Sequence, residues 1–209
     1  MTKIKLCGLR RPEDIEAANL LSPEYVGFVF APKSRRYIPP EEAAQLRKKL
    51  LPDICAVGVF VNETPERVAA LLEEGIIHMA QLHGREDETY IKMLRGLTKK
   101  PLIQAFRMDG VQAAAAAENS SADYILLDSG AGGTGLAFDW DLLSRIRRPY
   151  FLAGGLTCDT VGEAVKRYSP YGVDVSSGIE TGGWKDRKKM TEFVRAVRSA
   201  GEGKMRYGG

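Results

Sequence analysis

Eight short apolar segments alternate with helix-forming segments along the 209-residue chain, and this alternation limits the possible folds more than any other feature. Each apolar segment has the length and composition of a β-strand, and each is followed by apolar residues at helical spacing. Strands that alternate with helices pair in parallel. The chain is therefore predicted to be an α/β protein, with strands at residues 3–9, 25–31, 54–61, 78–84, 101–108, 124–130, 150–156 and 172–178.

Helix-start signals follow the predicted strands. Pro12 is followed by two acidic residues, and Thr64 stands as a cap before Pro65 at a first helical position. The strand–helix units recur without a break that resembles a linker, so a single domain is expected. Eight such units predict a (β/α)₈ TIM barrel over residues 1–200, with a flexible tail at 201–209. The alternative is a doubly wound open sheet, which usually has fewer strands.

Composition and charge exclude several classes of function. The formal charge of +3 is spread over 30 basic and 27 acidic residues without a basic stripe, so a nucleic-acid partner is not expected. Three cysteines without a C-x-x-C pair and only two histidines make a metal site improbable. The chain shows no signal-peptide pattern and no apolar run of about 20 residues. A cytoplasmic protein with reduced thiols and no membrane partner is predicted.

Alternation along each strand assigns side chains to the barrel axis, because the outer face must be apolar to contact the helices. Lys5 cannot remain unpaired in a packed interior, and closure of the barrel makes strands one and eight neighbours. An ion pair between Lys5 and Asp174 is therefore predicted. The residues expected to point inward are Lys5, Cys7, Gln81, His83, Gln104, Asp128, Asp174 and Ser176.

Three chemically active side chains stand at the ends of their predicted strands. Cys7, His83 and Asp128 each occupy the last positions before a loop. Active sites of TIM barrels lie at the carboxyl ends of the strands, where these three side chains converge. The sequence therefore predicts an active site that includes them.

Two glycine-bearing segments end the last two strands. "LAGGLT" places Gly154 and Gly155 before a helix that is expected to be capped by Thr157, and "VSSGIE" follows strand eight. Glycine lets backbone N–H groups approach an anion, and the loops after strands seven and eight form the usual phosphate site of this fold. A phosphate-binding site is predicted there. The glycine-rich segment at residues 128–140 is expected to be a flexible loop that closes over the substrate.

Seven segments together resemble the phosphoribosylanthranilate isomerase family. They are "KLCGLR", "YVGFVFAPKSRRYI", "AVGVFVNE", "QLHG", "LLDSGAGGTGLAFDW", "LAGGL" and "VDVSSGIETGGWKD", in order from residue 3 to about residue 198. The resemblance implies a (β/α)₈ barrel of tryptophan biosynthesis. Such an enzyme converts N-(5′-phosphoribosyl)anthranilate to 1-(2-carboxyphenylamino)-1-deoxyribulose 5-phosphate by an Amadori rearrangement.

The resemblance also implies roles for particular residues. Cys7 would be the general base, Asp128 the general acid and Arg36 the group that holds the anthranilate end, whereas His83 would line the site. The backbone at Gly155, Ser177, Gly178 and Ile179 would hold the phosphate. The chain departs from the family pattern at Cys158, where proline is frequent, and at Trp184, for which two readings are open: narrowing of the loop beside the phosphate, or packing on a helix.

The chemistry of the reaction suits these residues. Ring opening needs a proton from Asp128, and removal of the C2′ proton needs a Cys7 thiolate. Lys5, Arg36 or the iminium itself is expected to lower the pKa of Cys7. No metal or organic cofactor is required, and the expected partner is a small phosphorylated substrate. The sequence leaves open a monomer or a homodimer, and whether the histidine-pathway aminoaldose is also accepted.

Other barrel enzymes and a binding protein remain as alternatives. The histidine-pathway isomerase is expected to have an aspartate where this chain has Cys7, and indoleglycerol-phosphate synthase is expected to use a lysine and glutamates at the strand ends. A phosphate-binding barrel without activity is a third reading, against which the presence of both Cys7 and Asp128 argues.

Overall fold

The eight strands close into one barrel in a computed structural model that describes residues 1–129 and 140–202. All pairs of neighbouring strands are parallel and follow chain order, and the eighth strand pairs with the first. The strands are β1 (Lys3–Cys7), β2 (Tyr25–Val29), β3 (Cys55–Phe60), β4 (Met79–Leu82), β5 (Leu102–Arg107), β6 (Tyr124–Asp128), β7 (Tyr150–Ala153) and β8 (Gly172–Val175). The predicted barrel is confirmed, and the open sheet is excluded.

The outer layer contains seven α-helices in the part of the chain that the structure describes. They are α1 (Pro12–Leu21), α2 (Pro40–Lys49), α3 (Pro65–Glu73), α4 (Glu88–Leu97), α5 (Val111–Glu118), α6 (Val161–Tyr168) and α7 (Arg187–Glu202). Between β6 and β7 the described residues form a 3₁₀ helix, Trp140–Arg145, in place of the α-helix expected in the sixth unit. Leu142, Leu143 and Ile146 are buried in the core between strands and helices, so this short helix covers the barrel there.

Two hydrophobic cores follow from the alternation of the strands. One lies between the strands and the helices, and the other fills the barrel interior around Phe151, Tyr25 and Ile103. The ring of Phe151 packs edge-on against Tyr25 and Tyr171, with both pairs of ring centroids 5.3 Å apart. Because aromatic packing fills this part of the interior, the polar inward side chains are concentrated toward the carboxyl ends of the strands.

The buried ion pair between β1 and β8 is confirmed. Lys5 and Asp174 are register partners, and Lys5 Nζ donates to Asp174 Oδ1 at 2.9 Å. The Lys5 side chain is completely buried. Burial lowers the pKa of Lys5, but its neighbours, Asp174 first and then Cys7, outweigh burial and raise it, so Lys5 carries its charge.

The prediction that Gln104 points into the barrel is wrong. Ile103 belongs to the barrel interior and Leu102 to the outer core, so Gln104 faces the helices. Its amide is satisfied there, because Gln104 Nε2 donates to Glu86 O at 2.7 Å and Ser120 Oγ donates to Gln104 Oε1 at 2.5 Å. The apolar residues of β5 fit either face of the strand, which is why alternation alone misassigned it.

The segments around β8 differ in detail from the sequence prediction. Helix α6 begins at Val161 rather than directly after Thr157, because Thr157 donates its N–H to Thr160 Oγ1 at 3.0 Å in a preceding turn. After β8, strands β9 (Glu180–Thr181) and β10 (Trp184–Lys185) form a hairpin. Its two-residue turn consists of Gly182 and Gly183, both with positive φ, as tight hairpin turns require.

Two predictions fall on residues that the structure leaves undescribed. Most of the expected closing loop, at 130–139, lies outside the described residues. Helix α7 continues to Glu202, two residues into the predicted tail, and residues 203–209 are outside the described part. No helix among residues 1–129 and 140–202 is long and apolar enough to cross a membrane.

Candidate active site

A cavity of about 340 Å³ opens at the carboxyl ends of the strands. Six of the eight predicted site residues line it, namely Cys7, Arg36, His83, Asp128, Gly155 and Ser177. They come from β1, β6 and the loops after β2, β4, β7 and β8, so the barrel brings together residues up to 170 positions apart. The cavity is polar on several sides, but Val29, Ala31, Val59 and Val61 give it an apolar wall.

Cys7 is the last residue of β1 and is 7% exposed. Its side chain belongs to a small apolar cluster with Val29, Ala31 and Val59. Burial raises the pKa of the Cys7 thiol above its ordinary value, although the Lys5 ammonium acts in the opposite direction. Lys5 therefore lowers the pKa of Cys7 as expected, but burial outweighs this effect, so the net pKa is raised and the side chain is a neutral thiol at neutral pH.

Gly8 directly follows Cys7, and the close approach of Arg36 explains why this position is glycine. Gly8 has φ +82°, in the left-handed region, and a Cβ placed there would lie 2.6 Å from Arg36 Cδ. The Arg36 side chain thus passes directly over the turn that ends β1. The turn and the arginine occupy adjacent space at one edge of the cavity.

A second group of polar side chains comes from β4 and β6. Gln81 Nε2 and His83 Nδ1 are 2.7 Å apart, and His83 Nε2 lies 3.5 Å from Asp128 Oδ2. With Gln81 Nε2 as the donor, a neutral His83 carries its proton on Nε2 and presents it toward Asp128. The arrangement fixes the orientation of His83 beside the carboxylate. His83 therefore contacts Asp128 in addition to lining the cavity.

The two glycine-bearing loops contact each other and the end of β6. Gly154 and Gly155 both have positive φ, and a Cβ at Gly154 would lie 2.6 Å from Asp128 Oδ1. A Cβ at Gly178 would lie 2.0 Å from the carbonyl oxygen of Leu156. Only glycine allows these approaches, so the loop after β7 is closely packed between Asp128 and the loop after β8.

The other two predicted phosphate-site residues sit deeper in the second loop. Gly178 and Ile179 belong to a 3₁₀ turn at Ser177–Ile179, and Ile179 is fully buried. The Ile179 N–H lies 3.4 Å from Ser176 O. Of the residues in this turn, Ser177 is the one that lines the cavity.

Arg36 is held by a residue that the sequence analysis did not identify. Arg36 Nε donates to Glu180 Oε1 at 2.6 Å, and Arg36 Nη2 donates to Glu180 Oε2 at 3.1 Å. Lys185 Nζ also donates to Glu180 Oε1, at 2.8 Å. The partners of this cluster are up to 149 positions apart, on the loop after β2 and on the short β9–β10 hairpin, which lies outside the barrel and shows no alternation pattern. No sequence signal pointed to Glu180 or Lys185.

The two departures from the family pattern both lie beside the cavity rather than in its lining. Trp184 stacks on the guanidinium groups of Arg10 and Arg11, at 3.9 and 4.8 Å from its ring centroid. It thus fastens the β9–β10 hairpin to the loop after β1 and does not narrow the phosphate loop. Cys158 is half-buried in the turn before α6, with its Sγ 3.7 Å from Asp159 Oδ1.

A parallel eight-stranded barrel with a thiol, a carboxyl group, an imidazole and a guanidinium around one cavity at the carboxyl ends defines a (β/α)₈-barrel enzyme. Residues 4–196 match the family model described as N-(5′-phosphoribosyl)anthranilate isomerase. The chain therefore belongs to the N-(5′-phosphoribosyl)anthranilate isomerase family.

Relatives and solved structures agree with that assignment. The isomerase of Endomicrobium trichonymphae is 46% identical over 204 residues, covering 95% of this chain and all of the relative. The crystal structure from Thermotoga maritima has a TM-score of 0.86 at 34% identity, over 95% of this chain and all of that one. The structure of another phosphoribosyl anthranilate isomerase, in complex with reduced 1-(o-carboxyphenylamino)-1-deoxyribulose 5-phosphate, has a TM-score of 0.84 at 33% identity. The match covers 95% of this chain and all of the chain in that complex.

Proposed function

We propose that this chain isomerises N-(5′-phosphoribosyl)anthranilate to 1-(2-carboxyphenylamino)-1-deoxyribulose 5-phosphate in tryptophan biosynthesis, with Asp128 as general acid and Cys7 as general base. The observation that carries the proposal is that Cys7 and Asp128 line one cavity in a member of this isomerase family. The same cavity presents a guanidinium and a glycine-rich pair of loops, which suit the two anionic ends of this substrate.

The first step is the opening of the furanose ring. Asp128 gives its proton to the ring oxygen, the C1′–O bond breaks, and the nitrogen lone pair forms an iminium at C1′. His83, with Nε2 3.5 Å from Asp128 Oδ2, stabilises the carboxylate that is left. The positive iminium then withdraws electrons from C2′ and makes the C2′ proton acidic.

The second step uses Cys7. The new iminium charge favours the thiolate and so offsets the burial that raises the pKa of Cys7, and the thiol proton passes to the Asp128 carboxylate left by ring opening. The thiolate takes the C2′ proton, and the C2′–H electron pair forms the C1′=C2′ bond of an enolamine. Loss of the hydroxyl proton and protonation at C1′ then give the ketone. The C2′ proton leaves Cys7 as a neutral thiol and the earlier thiol proton leaves Asp128 as a carboxylic acid, so both groups end in their starting states.

Binding of the substrate ends is assigned by charge and polarity. Arg36 suits the anthranilate carboxylate because its planar fork engages both oxygens, and the apolar wall at Val29 and Val59 suits the aryl ring. The phosphate is assigned to the backbone at Gly155, Ser177, Gly178 and Ile179. Strand β7 lies across the barrel from β3, so the phosphate loop and the aryl wall stand at opposite sides of the cavity. No cofactor takes part in these steps.

The test is the fluorescence decay of freshly prepared phosphoribosylanthranilate with wild type, Cys7→Ser and Asp128→Asn. General acid–base groups contribute about 10²- to 10⁴-fold each, so each variant should lose at least that factor in kcat. Both variants should still bind the reduced product analogue. An inert wild type would contradict the substrate assignment. A Cys7→Ser variant with wild-type kcat would show that the thiol is a packing residue.

The location of the protein in the cell and its oligomeric state are proposals as well. We place the protein in the cytoplasm, acting on its small phosphorylated substrate without a membrane or nucleic-acid partner. We propose that it acts as a monomer or a homodimer; one related structure is described as monomers of a dimeric isomerase from Thermotoga maritima. Sedimentation equilibrium of the full chain checks this, because a trimer or larger assembly would contradict it.

A further inference from the structure

The carboxylate of Glu180 is the centre of a buried cation cluster beside the cavity. Glu180 is 8% exposed and accepts hydrogen bonds from Arg36, Lys185 and Arg35, the last from Nη2 to Oε2 at 2.8 Å. Burial alone would raise its pKa, but the hydrogen bonds from Arg36 and Lys185 outweigh burial and lower the pKa of Glu180 to about 2. Glu180 is therefore a fixed negative charge at neutral pH.

This charge determines which side of Arg36 a ligand can reach. Glu180 engages Nε and one hydrogen of Nη2. Among the described residues Nη1 has no protein acceptor, so Nη1 and the second Nη2 hydrogen form the open end of the guanidinium. This end presents two parallel N–H groups, the geometry that a carboxylate accepts in bidentate fashion. Arg36 itself lines the cavity.

The same cluster is connected to the strand that carries the thiol. Lys185 Nζ donates to Ser176 O at 2.9 Å as well as to Glu180. Ser176 Oγ in turn donates to the carbonyl oxygen of Cys7 at 3.0 Å. Glu180 thus ties the arginine, the loop after β8 and the end of β1 into one rigid arrangement, which fixes Arg36 relative to Cys7.

We propose that Glu180 is a positioning residue that orients Arg36 toward the ortho-carboxylate of the aryl group and so determines selectivity for carboxylated substrates. The proposal rests on the role given above to Arg36. Without the Glu180 carboxylate, Arg36 loses the acceptor on its Nε side. The open N–H groups of the guanidinium then no longer point in the direction that a bound carboxylate requires.

The experiment compares two ligands that differ only in the carboxylate. Reduced 1-(o-carboxyphenylamino)-1-deoxyribulose 5-phosphate and the same compound with an unsubstituted phenyl ring are titrated calorimetrically into wild type and Glu180→Gln. The ratio of the two dissociation constants measures recognition of the carboxylate alone. In Glu180→Gln the ratio should fall about ten- to a hundredfold, as expected when hydrogen bonds to a charged group are lost. The affinity for the unsubstituted phenyl ligand should not change.

Three further variants separate this role from a structural one. Arg35→Ala removes a second arginine from the same carboxylate, but the Arg35 side chain is 62% exposed, so the ratio should be kept. Glu180→Asp retains the charge with a shorter reach and should give an intermediate ratio; it also serves if Glu180→Gln does not fold. Arg36→Ala should abolish the selectivity.

The possible failures are distinguishable. An unchanged ratio in Glu180→Gln, a parallel loss for both ligands, or an equal loss in Arg35→Ala overturns the proposal for Glu180 alone. An unchanged ratio in Arg36→Ala overturns the assignment of Arg36, and this inference with it. The roles of Cys7 and Asp128 are judged by turnover in the separate experiment above.

Discussion

The thiol of Cys7 occupies a space that neighbouring glycine keeps open. A Cβ on Gly27 would lie 2.7 Å from Cys7 Sγ, so only glycine fits on β2 beside this thiol. The Cys7 thiol packs against backbone and aliphatic groups, where its charged form is disfavoured. A neutral thiol is protected from oxidation and from alkylation, since the thiolate is the reactive form.

The raised pKa of Cys7 predicts its reactivity as a function of pH. The alkylation rate of Cys7 by iodoacetamide follows the thiolate fraction, so it should still be rising at pH 9, the ordinary pKa of a thiol. The rate is measured on the Cys7 peptide by mass spectrometry after timed quenching. The same peptide from urea-unfolded protein is the control and should level off at a lower pH. A folded-state midpoint at or below that of the unfolded control would contradict the prediction.

How far the sequence predicts the site depends on where each residue lies. Cys7 and Asp128 are the last residues of buried strands. Strand alternation predicts that their side chains point into the barrel, and the parallel barrel predicts that the carboxyl ends of the strands lie together. Glu180 and Lys185 lie on a hairpin beyond β8, and their contacts with Arg36 and Ser176 depend on how three loops pack. Loop packing has no periodicity, so the charged cluster could not be predicted from the pattern.

At the level of elements, the closure of the barrel depends on the pairing of β1 with β8. Four register pairs join the two strands, and Lys5 and Asp174 form one of them. The strands, their order and this ion pair were all predictable, because a buried lysine requires an acidic neighbour. The face of Gln104 and the 3₁₀ helix before β7 were not predictable. The apolar pattern of each segment is compatible with two local structures, and packing against the outer layer determines which one forms.

Breaking the Lys5–Asp174 pair should weaken the closure. Asp174→Ala leaves a completely buried ammonium without its partner, so the free energy of unfolding should fall by about 3–5 kcal/mol. Lys5→Met combined with Asp174→Ala should recover most of that loss, because no buried charge remains. Urea unfolding followed by circular dichroism gives both values.

An exposed ion pair on the same strand provides the control. Lys3 and Glu24 are 3.6 Å apart with side chains 42% and 36% exposed, so Lys3→Met should cost no more than about 1 kcal/mol. Equal losses in Asp174→Ala and Lys3→Met would mean that burial does not determine the strength of the pair.

In the whole molecule, the apolar residues that stabilise the barrel lie in a different place from the reactive side chains. The aromatic cluster around Phe151 fills part of the barrel interior, whereas the cavity with Cys7, Asp128 and Arg36 opens at the carboxyl ends. These three cavity residues do not belong to the aromatic cluster that packs the barrel interior. Stability and ligand binding should therefore be changed independently by different substitutions.

Ligand-linked unfolding tests that separation. The reduced product analogue at one hundred times its dissociation constant should raise the free energy of unfolding by about 2.7 kcal/mol, since it binds the folded chain alone. Cys7→Ser and Asp128→Asn should show the same increment at one hundred times their own dissociation constants, which should lie within about tenfold of the wild-type value. The free energy of unfolding of Phe151→Ala without ligand should be about 3–5 kcal/mol lower, because the substitution empties a fully buried position, and the ligand should still add the full increment.

A Phe151→Ala variant that folds but whose free energy of unfolding is not raised by the ligand would show that the apolar interior and the cavity form one cooperative binding unit. A much weaker dissociation constant in Cys7→Ser would give the thiol a binding role.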